Sequence, residues 1–229
     1  SGSRVAQPTT MVPKDLDGPA RQALNRAISL YGDLDQKVAI KFGIPRDKLG
    51  DVLAPEQIDA LALCVHAEDR GREAFLIADG AGVGKGRTVT ALASRSAMQG
   101  RKVILLTERE INLSDLMRDW KHLGFSDRIR VGVINDGAKL IDEDTGQPFT
   151  VADAQVMKEA IEAGEWPSGV DVVIGTYSQF NRAPEESVRV RWLHAIAERD
   201  SNNFDLILDE SHNAVGESRT AENIASAID

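Results

Sequence analysis

The chain has 229 residues, 42% hydrophobic and 28% charged, ordinary proportions for a globular protein that hides roughly 70% of its unfolded surface. Lys and Arg number 27 against 36 Asp and Glu, a net charge of −9 with a pI near 5.0, which excludes a polybasic binder but leaves room for one basic groove on an acidic body. The lone Cys64 excludes a disulfide framework and a cysteine zinc site, and no apolar run approaches the ~20 residues of a membrane-spanning helix.

Ser1-Gly2-Ser3 reads as an expression scar. No basic start leads into an apolar core, so no signal peptide is visible, and a reducing interior compartment is expected. His66, His122, His194 and His212 are too scattered for a zinc box. Residues 14 to 48 read as short helices, with Leu24, Ala27, Ile28 and Tyr31 at helical spacing. A second helix starts at Pro55, a favoured first position, and carries Ile58, Leu61, Ala62 and Val65 on one face. Five short apolar runs follow: Ala74–Ala78, Val103–Leu106, Val131–Ile134, Val172–Ile174 and Leu206–Leu208. Such runs, rich in Val, Ile and Leu, are what strands buried on both faces of a parallel sheet look like. Helix-compatible stretches lie between them, Thr88–Gln99 closed by Gly100 and Leu113–His122 closed by Leu123-Gly124. The alternation predicts an α/β fold with a doubly wound, mostly parallel sheet behind an N-terminal helical lead-in. Residues 136 to 150 are polar and predict a loop or small hairpin outside the sheet.

In open α/β sheets, ligands collect at the carboxyl ends of the strands. After the first apolar run comes Asp79-Gly80-Ala81-Gly82-Val83-Gly84-Lys85-Gly86-Arg87-Thr88, leading into a helix. Glycines let the backbone curl around an anion, the helix N-terminus faces it, and Lys85 adds a mobile positive charge. The match to G-x-x-x-x-G-K-[ST] is incomplete, with Asp at 79 and Gly at 86. A flexible surface turn is the alternative. The second signal is Phe204-Asp205-Leu206-Ile207-Leu208-Asp209-Glu210-Ser211-His212, a strand that delivers two adjacent carboxylates at its end. One can hold Mg²⁺ while its neighbour takes a proton from water. By itself the pair also fits a solvated turn or helix cap. The two signals come in the expected order, about 120 residues apart, enough for the intervening βα units.

Asp-Glu-Ser-His is a DExH box, and Gly82-Val83-Gly84-Lys85 is similar to motif I of superfamily 2 helicases. The string Gly80-Ala81-Gly82-Val83-Gly84-Lys85-Gly86-Arg87 resembles the strawberry notch family, whose phosphate loop typically ends in Gly-Lys-Gly-Arg. Met11-Val12-Pro13-Lys14-Asp15-Leu16 and Leu53-Ala54-Pro55-Glu56-Gln57-Ile58-Asp59-Ala60 resemble its bacterial members, so the likeness covers nearly the whole chain. The resemblance implies a RecA-like P-loop NTPase lobe over residues 53–229, behind a helical segment at 4–52. It also implies that the chain is the first lobe of a larger protein.

Further implications attach to single positions. Gln57 matches the glutamine that reads the adenine edge, though a solvent-facing polar residue early in a helix is the alternative. Gly80, Ala81, Gly82, Val83, Gly84, Lys85, Gly86 and Arg87 would wrap the phosphates, with Lys85 on the β and γ groups. Asp209 would hold Mg²⁺, Glu210 would act as general base, and His212 would couple the ATP state to nucleic acid, a local cap or surface histidine being the competing reading. Thr176 and Tyr177 resemble the turn that faces nucleic acid in such lobes, although an ordinary strand exit explains them too. Trp120, Trp166 and Trp192 read as packing residues, since none lies in a basic stretch with other aromatics. Gly86 departs from the hydroxyl residue of standard loops, a feature strawberry notch relatives share, so water is expected in that place on Mg²⁺.

The function implied is an ATP- and Mg²⁺-dependent helicase or translocase ATPase acting on nucleic acid, DNA before RNA. Its partner would be a second RecA-like lobe. The location implied is the cytoplasm of a bacterium or phage host, or the nucleus if the source is eukaryotic. The alternative is a nucleotide-gated protein-interaction module that does not unwind. A small-molecule kinase fits less well, because it would want Ser or Thr after the lysine.

Overall fold

The structure is a computed structural model that describes residues 1–5, 14–77, 84–211 and 218–228, with side chains described outside 14–17 and 20. The chain falls into two compact units, Ser1–Arg95 and Ser96–Asp229, and each is taken by itself.

The first unit is helical in its described residues. Helix α1 spans Lys14–Tyr31, α2 Leu34–Phe42, α3 Leu49–Val52 and α4 Pro55–Glu68. Helix α2 is fixed at both ends: the Asp33 side chain accepts from the Gln36 N–H, and Gly43 closes it in the left-handed conformation at φ 65°, the usual start and stop devices. The α4 stripe predicted from spacing is real, with Ile58, Leu61, Ala62 and Val65 all at 0% exposure. Helices α1, α2 and α4 pack on one another around these residues and Ala27, Val38, Phe42 and Leu49. The unit also contains most of helix α5, Lys85–Met98. The expected strand at Ala74–Ala78 is not present: residues 74–77 take no strand conformation, and Ala78 lies outside the described residues. Phe75 and Leu76 are 41% and 73% exposed. Apolar composition licenses a strand, but only a hydrogen-bonding neighbour makes one, and none of the described residues pairs with this run.

The second unit is an α/β layer. Strands β1 (Lys102–Thr107), β2 (Val131–Val133), β3 (Val172–Thr176) and β4 (Phe204–Leu208) form a parallel sheet in the order β2-β3-β1-β4. Between and after them run α6 (Glu110–His122), α7 (Ala154–Ala163), α8 (Val188–Arg199) and α9 (Arg219–Ala225). Side chains alternate across each strand. Ile104, Leu106 and Val173 face a buried cluster built with Met157 and Ile161 of α7, Trp192, Leu193 and Ile196 of α8, and Ile224 of α9. Their neighbours Val103, Leu105, Val172 and Ile174 are equally buried on the opposite face, where α6 packs on β1 and β3. Helices therefore cover both faces, as a doubly wound sheet requires. Val131 and Val133 pair with Val172 and Ile174.

Arg101 ties β1 to β4 at their starts: its guanidinium donates twice to Asp205, at 2.6 and 2.7 Å, and once to the Phe204 carbonyl. The predicted tryptophan roles are packing roles. Trp120 and Trp192 are 1% and 0% exposed, and Trp166 stacks on Trp192 at 6.1 Å between ring centroids. Residues 140–149 do form a small hairpin, with an antiparallel bridge between Ile141 and Pro148. Among the described residues no helix is long and apolar enough to cross a membrane.

Candidate functional site

Gly80, Ala81, Gly82 and Val83 lie outside the described residues, so the structure speaks to the exit of the glycine run. Gly84 turns the chain in the left-handed region at φ 72°, open to glycine at little cost. Helix α5 begins at the next residue, Lys85. The first N–H groups of a helix have no intrahelical acceptor, and Lys85 places a cation beside them. Gly86 follows without a side chain. Arg87 donates from Nη1 to the Val52 carbonyl at 3.1 Å, fastening the first turn of α5 to the end of α3.

Gln57 is neither solvent-facing nor presented outward. It is 4% exposed. Its Oε1 accepts the Ala54 N–H at 2.8 Å, capping α4, and its Nε2 donates to the Gly84 carbonyl at 2.7 Å. The structure thus brings Gln57 to Gly84, the exit of the glycine run, through a contact that spacing alone does not show. Thr88 is 1% exposed and its hydroxyl has no hydrogen-bond partner.

In the second unit the chain leaves β4 into Asp209 and Glu210. The Asp209 N–H donates to the Leu106 carbonyl at 2.8 Å, which keeps Asp209 alongside β1. Thr107, at the end of β1, donates from Oγ1 to the Asp209 carboxylate at 3.1 Å and accepts from Asn112 Nδ2 at 3.1 Å. Tyr177 donates its phenol to the Asp209 carbonyl at 2.6 Å. Burial pushes the Tyr177 phenol well above its ordinary range, and the charges of Asp209 and Glu210 add to the effect. Glu210 sits at φ 53°, the one positive φ among the described non-glycine residues. A side chain held in that region is strained, and such strain gathers at functional turns. His212 lies outside the described residues.

Thr176 and Tyr177 turn inward, at 2% and 5% exposure. The Thr176 hydroxyl accepts from Asn135 Nδ2 at 2.9 Å, and its N–H donates to Asn135 Oδ1 at 3.0 Å. Their hydrogen bonds serve the sheet and the Asp-Glu turn, so as surface contacts for nucleic acid they are poorly placed. Thr107, Asn112 and Asn135 were missed by sequence reasoning. Thr107 and Asn135 each directly follow an apolar run, at the strand ends where ligands collect, whereas Asn112 sits in the first turn of α6 and carries no such mark.

Each unit by itself offers groups that suit a part of a nucleoside triphosphate with Mg²⁺. Lys85 at a helix N-terminus suits phosphates, and a braced carboxylate such as Asp209 is a hard oxygen donor of the kind Mg²⁺ takes. Among the described residues no three or more His, Cys, Asp or Glu side chains are placed to hold a metal by themselves. A cation at Asp209 would complete its shell from oxygens that the protein does not supply, phosphate and water.

A glycine run opening a helix, together with a strand-borne Asp-Glu pair on a parallel sheet, defines a P-loop nucleotide hydrolase. The chain belongs to the family described as P-loop containing NTP hydrolase pore-1, whose model matches residues 44–228. No curated protein and no solved structure matches the chain.

Proposed function

We propose that this P-loop NTP hydrolase is the first RecA-like lobe of a strawberry notch-type, DExH-box ATPase of superfamily 2, which couples ATP hydrolysis to action on nucleic acid. The observation that carries this reading is the Asp209-Glu210 turn. It leaves β4 braced at the Asp209 carboxylate, N–H and carbonyl, and it holds Glu210 in a strained conformation. In the proposed reaction, Lys85 balances the β- and γ-phosphate charge and Asp209 holds Mg²⁺. Glu210 takes the proton of the water that attacks the γ-phosphorus, and the bond to the bridging oxygen breaks to leave ADP and phosphate. His212 would link this state to nucleic acid, DNA before RNA. A second RecA-like lobe would contribute an arginine to the transition state.

A second reading, a nucleotide-gated interaction module, gains from the inward turn of Thr176 and Tyr177. ATP turnover by the intact protein, measured with and without single-stranded DNA, double-stranded DNA and RNA, separates the two. The ATPase reading expects at least a severalfold stimulation by DNA, and Glu210→Gln abolishes turnover while ATP still binds. Turnover indifferent to every nucleic acid would leave the module reading standing instead.

A further inference from the structure

Helix α5 carries three buried hydroxyl side chains, Thr88, Thr90 and Ser94, and two behave as hydroxyls in helices usually do. Thr90 donates to the Gly86 carbonyl at 2.8 Å and Ser94 to the Thr90 carbonyl at 2.8 Å, each reaching the carbonyl four residues back. Thr88 is 1% exposed and unpartnered. Its own carbonyl four residues back belongs to Gly84. That oxygen is already taken: Gln57 Nε2 donates to it at 2.7 Å and the Arg87 N–H at 3.1 Å, which uses both lone pairs of a carbonyl.

Gln57 therefore outcompetes a hydroxyl that the helix itself offers. It can do so because its other end is anchored on the Ala54 N–H, so little side-chain freedom is left to lose when the second bond forms. The carbonyl it seizes belongs to the residue whose left-handed turn sets the entry of Lys85 into α5. The approach is close enough that a Cβ added at Gly84 would lie 2.6 Å from Gln57 Nε2.

We infer that Gln57 is a positioning residue for the phosphate-binding loop: it clamps the Gly84 carbonyl, fixes where Lys85 stands, and acts on every triphosphate alike, whatever its base. Thr88 is the reserve donor for the same carbonyl, left unpaired while the clamp is closed. The inference rests on the nucleotide-binding reading.

Gln57→Glu keeps the acceptor that caps α4 and removes the donor to Gly84, but adds a charge. The uncharged Gln57→Met, which removes the donor without adding one, is measured alongside, and the loss counts for the clamp only where both variants show it. Titration calorimetry of the 229-residue chain with Mg²⁺ and ATP, GTP or inorganic tripolyphosphate reads the outcome. A uniform loss of about tenfold across the three ligands is expected, with the ATP-to-GTP ratio unchanged. A loss confined to ATP, or no loss, overturns the clamp. Thr88→Val is read beside it: affinity within twofold of the parent and a raised melting temperature without ligand are expected, since an unpartnered hydroxyl is removed. A fall in affinity would show that Thr88 holds the carbonyl, and would overturn the inference even if Gln57→Glu failed to fold. Lys85→Ala separates the two levels. If it binds tripolyphosphate as the parent does, the nucleotide reading itself fails; if it loses binding while Gln57→Glu does not, only the clamp is wrong.

Discussion

Glu210 shows how a single residue can be stable in the wrong place. Its φ of 53° costs a side-chain-bearing residue about 1–2 kcal/mol, and glycine would escape most of that while adding some unfolded-state entropy. Glu210→Gly should therefore hold or raise thermal stability, by up to about 1 kcal/mol, and end ATP turnover. Melting curves and a phosphate-release assay on the same preparation check both halves. A variant that loses stability and keeps turnover would show that the turn is not a catalytic device. Lys85→Ala acts differently, since it removes a charge-assisted contact worth about 1.5–3 kcal/mol, and nucleotide affinity should fall roughly tenfold or more in calorimetry. The Mg²⁺ requirement of turnover should follow Asp209 and not Thr88. Asp209→Asn weakens it strongly, while Thr88→Ala leaves it unchanged, because the Thr88 hydroxyl is buried at 1% exposure beside a carbonyl that Gln57 occupies.

The elements of the second unit were legible because each apolar run met a neighbour. Val103–Leu106 sits between Val172–Ile174 and Leu206–Leu208 in the sheet, so composition and pairing agree. Ala74–Ala78 has equal apolar content, yet its described residues have no ladder. A one-dimensional pattern reports the wish to be buried and is silent about the hydrogen-bonding partner. The same limit separates the site residues. The place of Asp209 and Glu210 at the end of β4 is legible in the sequence, because it is a local fact. The Gln57 clamp and the Tyr177 brace are not, since they join residues 27 and 32 positions apart and exist only after folding. Tyr177→Phe tests the brace: the Asp209 carbonyl loses its 2.6 Å donor, a loss of about 1–3 kcal/mol if the acceptor stays dry. Melting temperature should fall, and turnover should fall further than stability alone accounts for, because the carboxylate pair hangs from that turn. Unchanged turnover at a temperature where the variant is folded would make the phenol a packing group only.

At the scale of the whole molecule, two tyrosines report separately on the two units. In the first, Tyr31 donates to Asp69 at 2.8 Å while Lys37 bonds the same carboxylate at 2.9 Å. Burial, with the Asp69 hydrogen bond and charge behind it, pushes the Tyr31 phenol up to about 12. Hydrogen bonds from Lys37 and Tyr31 hold Asp69 at about 2. A raised phenol stabilises the fold fully below its ordinary pKa near 10, and that contribution fades as pH climbs from about 10 to 12. A depressed carboxylate contributes fully above about 4 and fades as pH falls towards 2. The Tyr31–Asp69–Lys37 link is therefore intact across the broad window between, and weakens at both extremes. Tyr177 in the second unit is shifted up further by burial and by Asp209 and Glu210, so its phenolate should form only as that unit opens. An alkaline titration followed at the phenolate absorption band should show little ionisation at pH 10, then two separable steps. The later step should coincide with loss of far-ultraviolet circular dichroism and vanish in Tyr177→Phe. In Asp69→Asn the Tyr31 step should move back towards pH 10, because both the hydrogen-bonded anion and its charge are gone, while the Tyr177 step stays where it was. A single unshifted step near pH 10 in the parent chain would mean that neither phenol is held as the structure places it.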